Sequence, residues 1–452
     1  MTRIVRLSLC TAVVALLGCP KKKDEAAPDA GVVATTAVAA AAPLACTADV
    51  APFVIDKGAR LDTGLTLTKL HDGRIALGYA TWDGTPKAAV VDGAGKAQVV
   101  DVDAKHLHDK EKKENAKTSR AVNRVTPLGF KGMHMRVGVD LVDHNADGSR
   151  YVRCGAADEE PTVSFNAISH YDPWDGGTVS SNKASSDGPN EVRDCRTFSN
   201  GEVNWVLASE LWDNPDGDDF ESRWAIDTKP GKTQLDDAVV DSHLIKPGKD
   251  GKLPQKVDHY SFEVPVSVHV PGAGYVLAAR YQGALVVAKR QASLEPSGKP
   301  VTFNLGAPVG MAAMAVHGSD VALLVTEAGK SDLYGAKFAA QATPPKPEKI
   351  ALRDPNPPTE GDRTSTSAAA TSKGDLYVVF TDGKAGHKIG RLVVLGADLA
   401  PKIDVFDFAK GDHNVAETRV GTTADGKAFV AYLEAGEGGA YSVTGAVYSC
   451  RY

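Results

Sequence analysis

Leu65-Thr66-Leu67-Thr68-Lys69-Leu70-His71-Asp72-Gly73-Arg74-Ile75-Ala76-Leu77-Gly78-Tyr79-Ala80 reads as a β-hairpin. A short run ends at Asp72-Gly73, and a stronger β-type run follows. Glycine at such a turn supplies the positive φ that a tight hairpin needs. The same pattern recurs six times. The next instances are Val125–Phe130, Gly132, Met133–Val139, then Cys195–Phe198, Gly201, Val203–Ala208, then Val264–Val270, Gly272, Tyr275–Ala279. The last three are Ala312–Val316, Gly318, Val321–Val325, then Ser367–Thr371, Gly374, Leu376–Phe380, and Thr418–Thr422, Gly426, Ala428–Tyr432. Most hairpins are followed by further β-type runs, such as Ala88–Val91 with Ala97–Val102 and Leu392–Leu395 with Ile403–Phe408. Convincing long amphipathic helices are missing.

Seven units of about four strands predict an all-β fold, a seven-bladed β-propeller. A lone four-stranded sheet cannot bury two apolar faces, whereas sheets stacked in a ring cover both. Six or eight blades, or two β-sandwiches in tandem, are the alternatives. The run Val50-Ala51-Pro52-Phe53-Val54-Ile55 precedes the first full unit, and the last unit is one strand short. An N-terminal strand is therefore expected to complete the C-terminal sheet. That arrangement sets Cys46 beside Cys450 and leaves Cys154 for Cys195 across neighbouring units. Pairing of Cys46 with Cys154 or Cys195 is the alternative.

The N-terminus carries an address. Arg3 and Arg6 precede the apolar run Leu7–Leu17, which is too short to span a bilayer, and the small Gly18 follows. These are the parts of a secretory signal. Leu16-Leu17-Gly18-Cys19 resembles the lipobox of bacterial lipoproteins. The resemblance implies a signal peptide over residues 1–18, a diacylglyceryl group on Cys19, and acylation, as by palmitate, of the new amino end. Two or three acyl chains anchor stably where one does not. Pro20, rather than Asp, follows Cys19, which in the enteric scheme favours the outer membrane. Residues 19–45 read as the lipidated cysteine and an Ala/Pro-rich tether with a reach of roughly 30 Å. Residues 46–452 are the propeller domain. In lines such as Asp72–Tyr79 and Gly274-Tyr275-Val276-Leu277-Ala278-Ala279-Arg280 it resembles the secreted propeller lipoproteins of bacteria. That likeness implies a fold and a cell-envelope location, not an activity.

An apolar content of 42% excludes a disordered chain or one with many membrane spans. Fifty-one Lys and Arg against 57 Asp and Glu give a net charge of −6, which argues against nucleic acid as a partner. Asp143-His144-Asn145-Ala146-Asp147-Gly148-Ser149 has the spacing of a calcium loop, with Asp143, Asn145 and Asp147 as ligands. Its twelfth position is Cys154, not Glu, and a plain Asp-Gly turn explains the same residues. No H-E-x-x-H, G-x-S-x-G or P-loop occurs, and the repeated Ser-x-Asp-x-Gly-x-x-Trp box of sialidase-like propellers is missing. The residues just past each second strand are Asp83, Asp140, Glu210, Arg280, Glu327, Asp382 and Glu434. All would share one face of a propeller, with the insertions Lys105–Arg120, Asp143–Ser149 and Asp213–Glu221, forming a partly acidic, loop-rich binding face.

The expectation is a non-catalytic, membrane-anchored propeller presenting that face to a protein, glycan or cation. A carbohydrate-active hydrolase or lyase with two facing carboxylates is the rival reading. A scaffold subunit of an envelope assembly is the third.

Overall fold

In the computed structural model, residues 44–102, 119–131, 134–144, 150–154, 171–173, 179–180, 191–213, 220–228, 239–245, 262–357, 363–384, 386–409, 414–436 and 439–452 are described. The readings of the signal peptide, Cys19 and the tether fall on residues 1–43, outside the described residues, as do Gly132, Asn145 and Asp147.

The described residues are all-β, with no α-helix, and form seven sheets. Each sheet starts with an inner strand: Thr66–Lys69, Ser119–Lys131, Glu191–Ser199, Glu263–Val270, Val309–His317, Ser365–Ala370 and Val415–Thr422 define sheets one to seven. Each inner strand pairs antiparallel with the strand after its turn, namely Ile75–Ala80, His134–His144, Asn204–Asp213, Gly274–Tyr281, Asp320–Glu327, Leu376–Asp382 and Ala428–Ala435. Third and fourth strands continue outward in chain order in sheets one and three to six. Sheet two adds Arg150–Cys154 and Val179–Ser180, with Tyr171–Pro173 parallel to His134–His144. The glycine turns supply the backbone that the hairpins need: Gly73, Gly201, Gly272, Gly318, Gly374 and Gly426 all have φ between 60° and 91°.

The second strands are apolar without alternation because both faces of each sheet are covered. All of Ile75–Ala80 and of Leu376–Asp382 is buried. Successive residues serve opposite neighbours. Ile75, Leu77 and Tyr79 pack with Phe429, Leu433 and Val443 of sheet seven, whereas Ala76 and Ala80 pack with Val125, Val137 and Val139 of sheet two. In sheet five, Leu323 and Val325 meet Val276 and Val287 of sheet four, and Leu324 joins the core shared with sheets six and seven. Trp205 and Trp224 of sheet three pack with Tyr275 and Leu277 of sheet four. Glycine allows the closest approaches: a Cβ on Gly78 would collide with the Val125 carbonyl of sheet two.

The fourth strand of sheet seven is N-terminal. Ala45–Ala59 lies antiparallel to Tyr441–Arg451, with Cys46 opposite Cys450. These two cysteines are joined by a disulfide across 404 residues. Lys427 Nζ adds an ion pair to Asp49 at 2.8 Å, and Ser449 Oγ donates to Asp49 at 2.6 Å. A second disulfide joins Cys154 of sheet two to Cys195 on the inner strand of sheet three. Two disulfides belong to a protein that matures in an oxidising, extracytoplasmic compartment.

Candidate functional site

The inner strands surround a cavity of about 280 Å³, to which all seven contribute side chains. Its lining is divided. Thr66 and Thr68 of sheet one, Arg124 and Thr126 of sheet two, Arg196 and Thr197 of sheet three and Arg419 of sheet seven make one polar arc. Val264–Ser267 of sheet four, Met311–Met314 of sheet five and Thr366–Ala368 of sheet six make the other arc, apolar except for the hydroxyls of Ser267, Thr366 and Ser367. Among the described residues, the three arginines are the ionisable side chains of this lining, with no Asp, Glu, His, Lys, Cys or Tyr beside them.

Local backbone geometry places the arginines. Register shifts interrupt the inner strands between Val122 and Arg124, Val192 and Asp194, and Val415 and Glu417. A bulge of this kind re-aims the side chains that follow it. In sheets three and seven an acid and an arginine then lie two apart on one strand face. Arg196 Nε bonds Asp194 at 3.2 Å, and Arg419 pairs with Glu417 while its Nη1 donates to the Thr418 carbonyl at 2.8 Å. Glu417 also accepts the Leu65 N–H of sheet one at 2.9 Å. Sheet two has Val122 where the others carry the acid. Among the described residues, Arg124 makes no hydrogen bond or ion pair. Burial, then repulsion from Arg196 and Arg419, holds its guanidinium below the ordinary value, at about 10, against the pull of Asp140 and Glu417.

Hydroxyls stitch the inner strands to one another. Thr68 Oγ1 donates to the Pro127 carbonyl at 2.7 Å, Thr66 Oγ1 to the Val125 carbonyl at 2.5 Å, and Thr126 Oγ1 to the Thr197 carbonyl at 3.3 Å. Between sheets six and seven, the N–H groups of Thr418 and Val420 donate to Ser365 Oγ and Ser367 Oγ. Inner strands that radiate from a common centre lie too far apart for a main-chain ladder, and side-chain oxygens span the gap.

The strand-end residues expected to form an acidic face are placed otherwise. Asp140, Glu327 and Asp382 are at most 1% exposed. Asp140 accepts the Thr197 N–H at 3.1 Å and the Thr197 hydroxyl at 2.5 Å, pinning sheet two to sheet three. Glu327 accepts from Ala307 N–H, Lys330 Nζ and Tyr334 Oη, all within 3.0 Å. Asp382 receives Arg363 through two bonds at 3.1 and 2.8 Å, with Arg391 3.7 Å away. Arg280 pairs with Glu263 and donates to the Val309 carbonyl of sheet five at 2.7 Å. Asp83 caps its own turn, accepting the Thr85 N–H at 3.2 Å, and Glu434 is half-buried beside Thr444. Glu210 stands opposite Val192, and its side chain lies outside what is described. The physical reason is common to most of them. They sit opposite the bulges, where incoming backbone N–H groups and arginines need buried acceptors.

Asp143 stands next to last in the strand His134–His144, and Asn145 and Asp147 of the calcium reading fall outside the described residues, as does most of each long insertion. Among the described residues no group of three His, Cys, Asp or Glu is arranged to hold a metal. The cavity arginines were not among the residues singled out from sequence. The visible signal was the repeated acid-x-Arg at Asp194-Cys195-Arg196 and Glu417-Thr418-Arg419.

No family model matches the chain, and no curated protein does. Solved structures resemble it distantly. The NanB sialidase of Streptococcus pneumoniae aligns at 11% identity and TM-score 0.42, over 88% of this chain and 68% of its own. The intramolecular trans-sialidase of Ruminococcus gnavus aligns at 9% and 0.39, over 89% and 96%. The Aleuria aurantia lectin aligns at 10% and 0.38, over 79% and 99%.

Proposed function

We propose that this chain is an exported, lipid-anchored binding protein: a seven-bladed β-propeller, closed by its N-terminal strand, that holds a small ligand in its central cavity. Face-to-face packing of sheet seven on sheet one supports the closed ring. The single observation that carries binding over catalysis is the composition of the cavity wall. It offers guanidinium, hydroxyl, thioether and aliphatic groups. A hydroxyl acts as a nucleophile only with a general base beside it, and a general acid or base would need a carboxylate, imidazole, amine or phenol in reach, which the described lining does not offer. The nearby acids Asp194 and Glu417 are held by Arg196 and Arg419. The lipobox supports the anchor: Cys19→Ser is expected to move the protein from the detergent phase to the aqueous phase, and unchanged partitioning would remove the anchor from this reading. Ala368 lines the cavity. Filling it with Ala368→Phe is expected to deplete small molecules that co-purify with the mature protein, read by mass spectrometry of denatured extracts. An identical extract from a folded Ala368→Phe protein would refute cavity binding.

A further inference from the structure

The proposed cavity reading can be taken one step further, because the wall has a sign and a direction. We infer that the ligand is a small oxyanion, a carboxylate or phosphate, carried on an apolar body, with the anion seated at Arg124 and the body against Val266, Met311 and Met314.

Three observations converge. First, the ionisable groups of the lining are all cationic, and they come from sheets seven, two and three, on one side of the centre. Second, the three arginines are not equivalent. Arg196 and Arg419 each have an acid two residues earlier on the same strand. Val122 stands in that place before Arg124, so Arg124 is the guanidinium without a dedicated counter-ion. Asp140, the acid opposite it in register, directs its oxygens to the N–H and hydroxyl of Thr197. A cation held half-buried between two other cations is a standing electrostatic cost that a bound anion removes. The guanidinium fork matches both carboxylate and phosphate, which is why neither is favoured over the other. Third, the wall facing the arginines is built from Val266, Met311, Ala312 and Met314. Inorganic ions would gain nothing there, whereas an aliphatic or aromatic body would leave water. Methionine adapts to irregular apolar shapes. The volume of about 280 Å³ sits at the small end of ligand pockets, roughly 300–1,000 Å³, and excludes a polymer segment as the buried group.

The test uses the mature, disulfide-bonded protein and three probes of one shape: benzoate, phenyl phosphate and benzamide. Calorimetric titration is expected to give one site for benzoate and for phenyl phosphate, each at least about tenfold tighter than benzamide. Arg124→Gln is expected to weaken both anions about tenfold or more and to leave benzamide unchanged. Arg74→Gln, on an exposed turn, is expected to change neither. A second readout, independent of any effect of Arg124→Gln on the inner strands, uses the unaltered chain. Phenylglyoxal modification followed by peptide mapping is expected to show Arg124 protected by benzoate and not by benzamide. Equal affinity for benzamide and benzoate, or equal labelling of Arg124 with and without benzoate, overturns the oxyanion claim and leaves cavity binding standing. Anions that bind without loss in Ala368→Phe place the site elsewhere and overturn both. No heat with any probe at millimolar concentration also overturns both.

Discussion

The contact between sheets four and five and the contact between sheets two and three are built from the same strand pattern, yet they hold together by different means. Sheets four, five and six share broad apolar cores, in which Leu323, Leu324, Phe380 and Val393 are completely buried. The contact between sheets two and three rests, among the described residues, on a small cluster around Leu128, Val206 and Ala208. Both disulfides lie in sheets of the polar arc, as do the three cavity arginines, the Asp140–Thr197 pin and the hydroxyl stitches of Thr66, Thr68 and Thr126. At the contact of sheets two and three, where the apolar cluster is small, the Cys154–Cys195 disulfide and the Asp140–Thr197 hydrogen bonds supplement it.

This contrast is open to direct attack. The largest effect is expected at the seam. Replacing Cys46 and Cys450 together by alanine frees a loop of 404 residues in the unfolded chain. Chain entropy sets the loss at about 6 kcal/mol, and at about 4 kcal/mol for the 41-residue loop between Cys154 and Cys195. Urea midpoints of the two double variants give the order. A smaller loss at Cys46–Cys450 than at Cys154–Cys195 would mean that strand pairing alone secures the seam.

Next comes the apolar arc. Leu323 is fully buried between sheets four and five. Leu323→Ala is expected to cost about 3 kcal/mol from lost burial and the cavity left behind. Denaturant unfolding checks it. A cost under about 1 kcal/mol would show that this arc relaxes easily, and the two contacts would no longer differ in kind.

Most of the architecture was legible because two local signals agree in the six sheets whose turns are described. A glycine fixes each turn, as at Gly73 and Gly374, and the strand after it is apolar on both faces. The missing fourth strand and the run Val50–Ile55 pointed to one another. The cavity was not legible. Arg124, Arg196 and Arg419 are separated by 72 and 223 residues, and beside Asp194 and Glu417 two of them look like ordinary charged strand ends. Only the convergence of inner strands makes them neighbours. The strand-end acids misled for the opposite reason. Asp140 and Asp382 look solvent-facing at the end of a strand, but a bulge and the contact to Thr197 bury the first, and Arg363 and Arg391 cover the second.

Glu327 carries a prediction of intermediate size within the apolar arc, where one buried acid replaces several stitches. Burial alone would raise its pKa, but Lys330, the Ala307 N–H and Tyr334 outweigh it, so the carboxyl lies below its ordinary 4.5. A depressed acid stabilises the fold above its unfolded-state pKa and loses that contribution as pH falls through the folded value. Glu327→Gln is expected to cost about 2 kcal/mol at pH 7, from charge-assisted hydrogen bonds, and to flatten the loss of stability as pH falls below the ordinary 4.5. Equal acid sensitivity in Glu327→Gln and the parent, followed by circular dichroism, would assign that sensitivity to other carboxylates.

The smallest effect is also the sharpest comparison, because it makes one substitution in both arcs of the cavity wall. Threonine and valine have nearly the same shape, so Thr→Val removes a hydroxyl and little else. In the stitched arc, Thr68 is buried and donates to the Pro127 carbonyl of the neighbouring sheet at 2.7 Å. Thr68→Val leaves that carbonyl without its donor, at an expected cost of about 1 kcal/mol. In the apolar arc, Thr366 is also buried and lines the same cavity, but its hydroxyl finds no partner. Thr366→Val removes a desolvated group that bonds nothing, so stability is expected to stay level or rise by a few tenths of a kcal/mol. The two melting temperatures, measured side by side, should therefore move in opposite directions or differ by about one to two degrees. Equal shifts would mean that the hydroxyl bridges contribute nothing net to the polar arc.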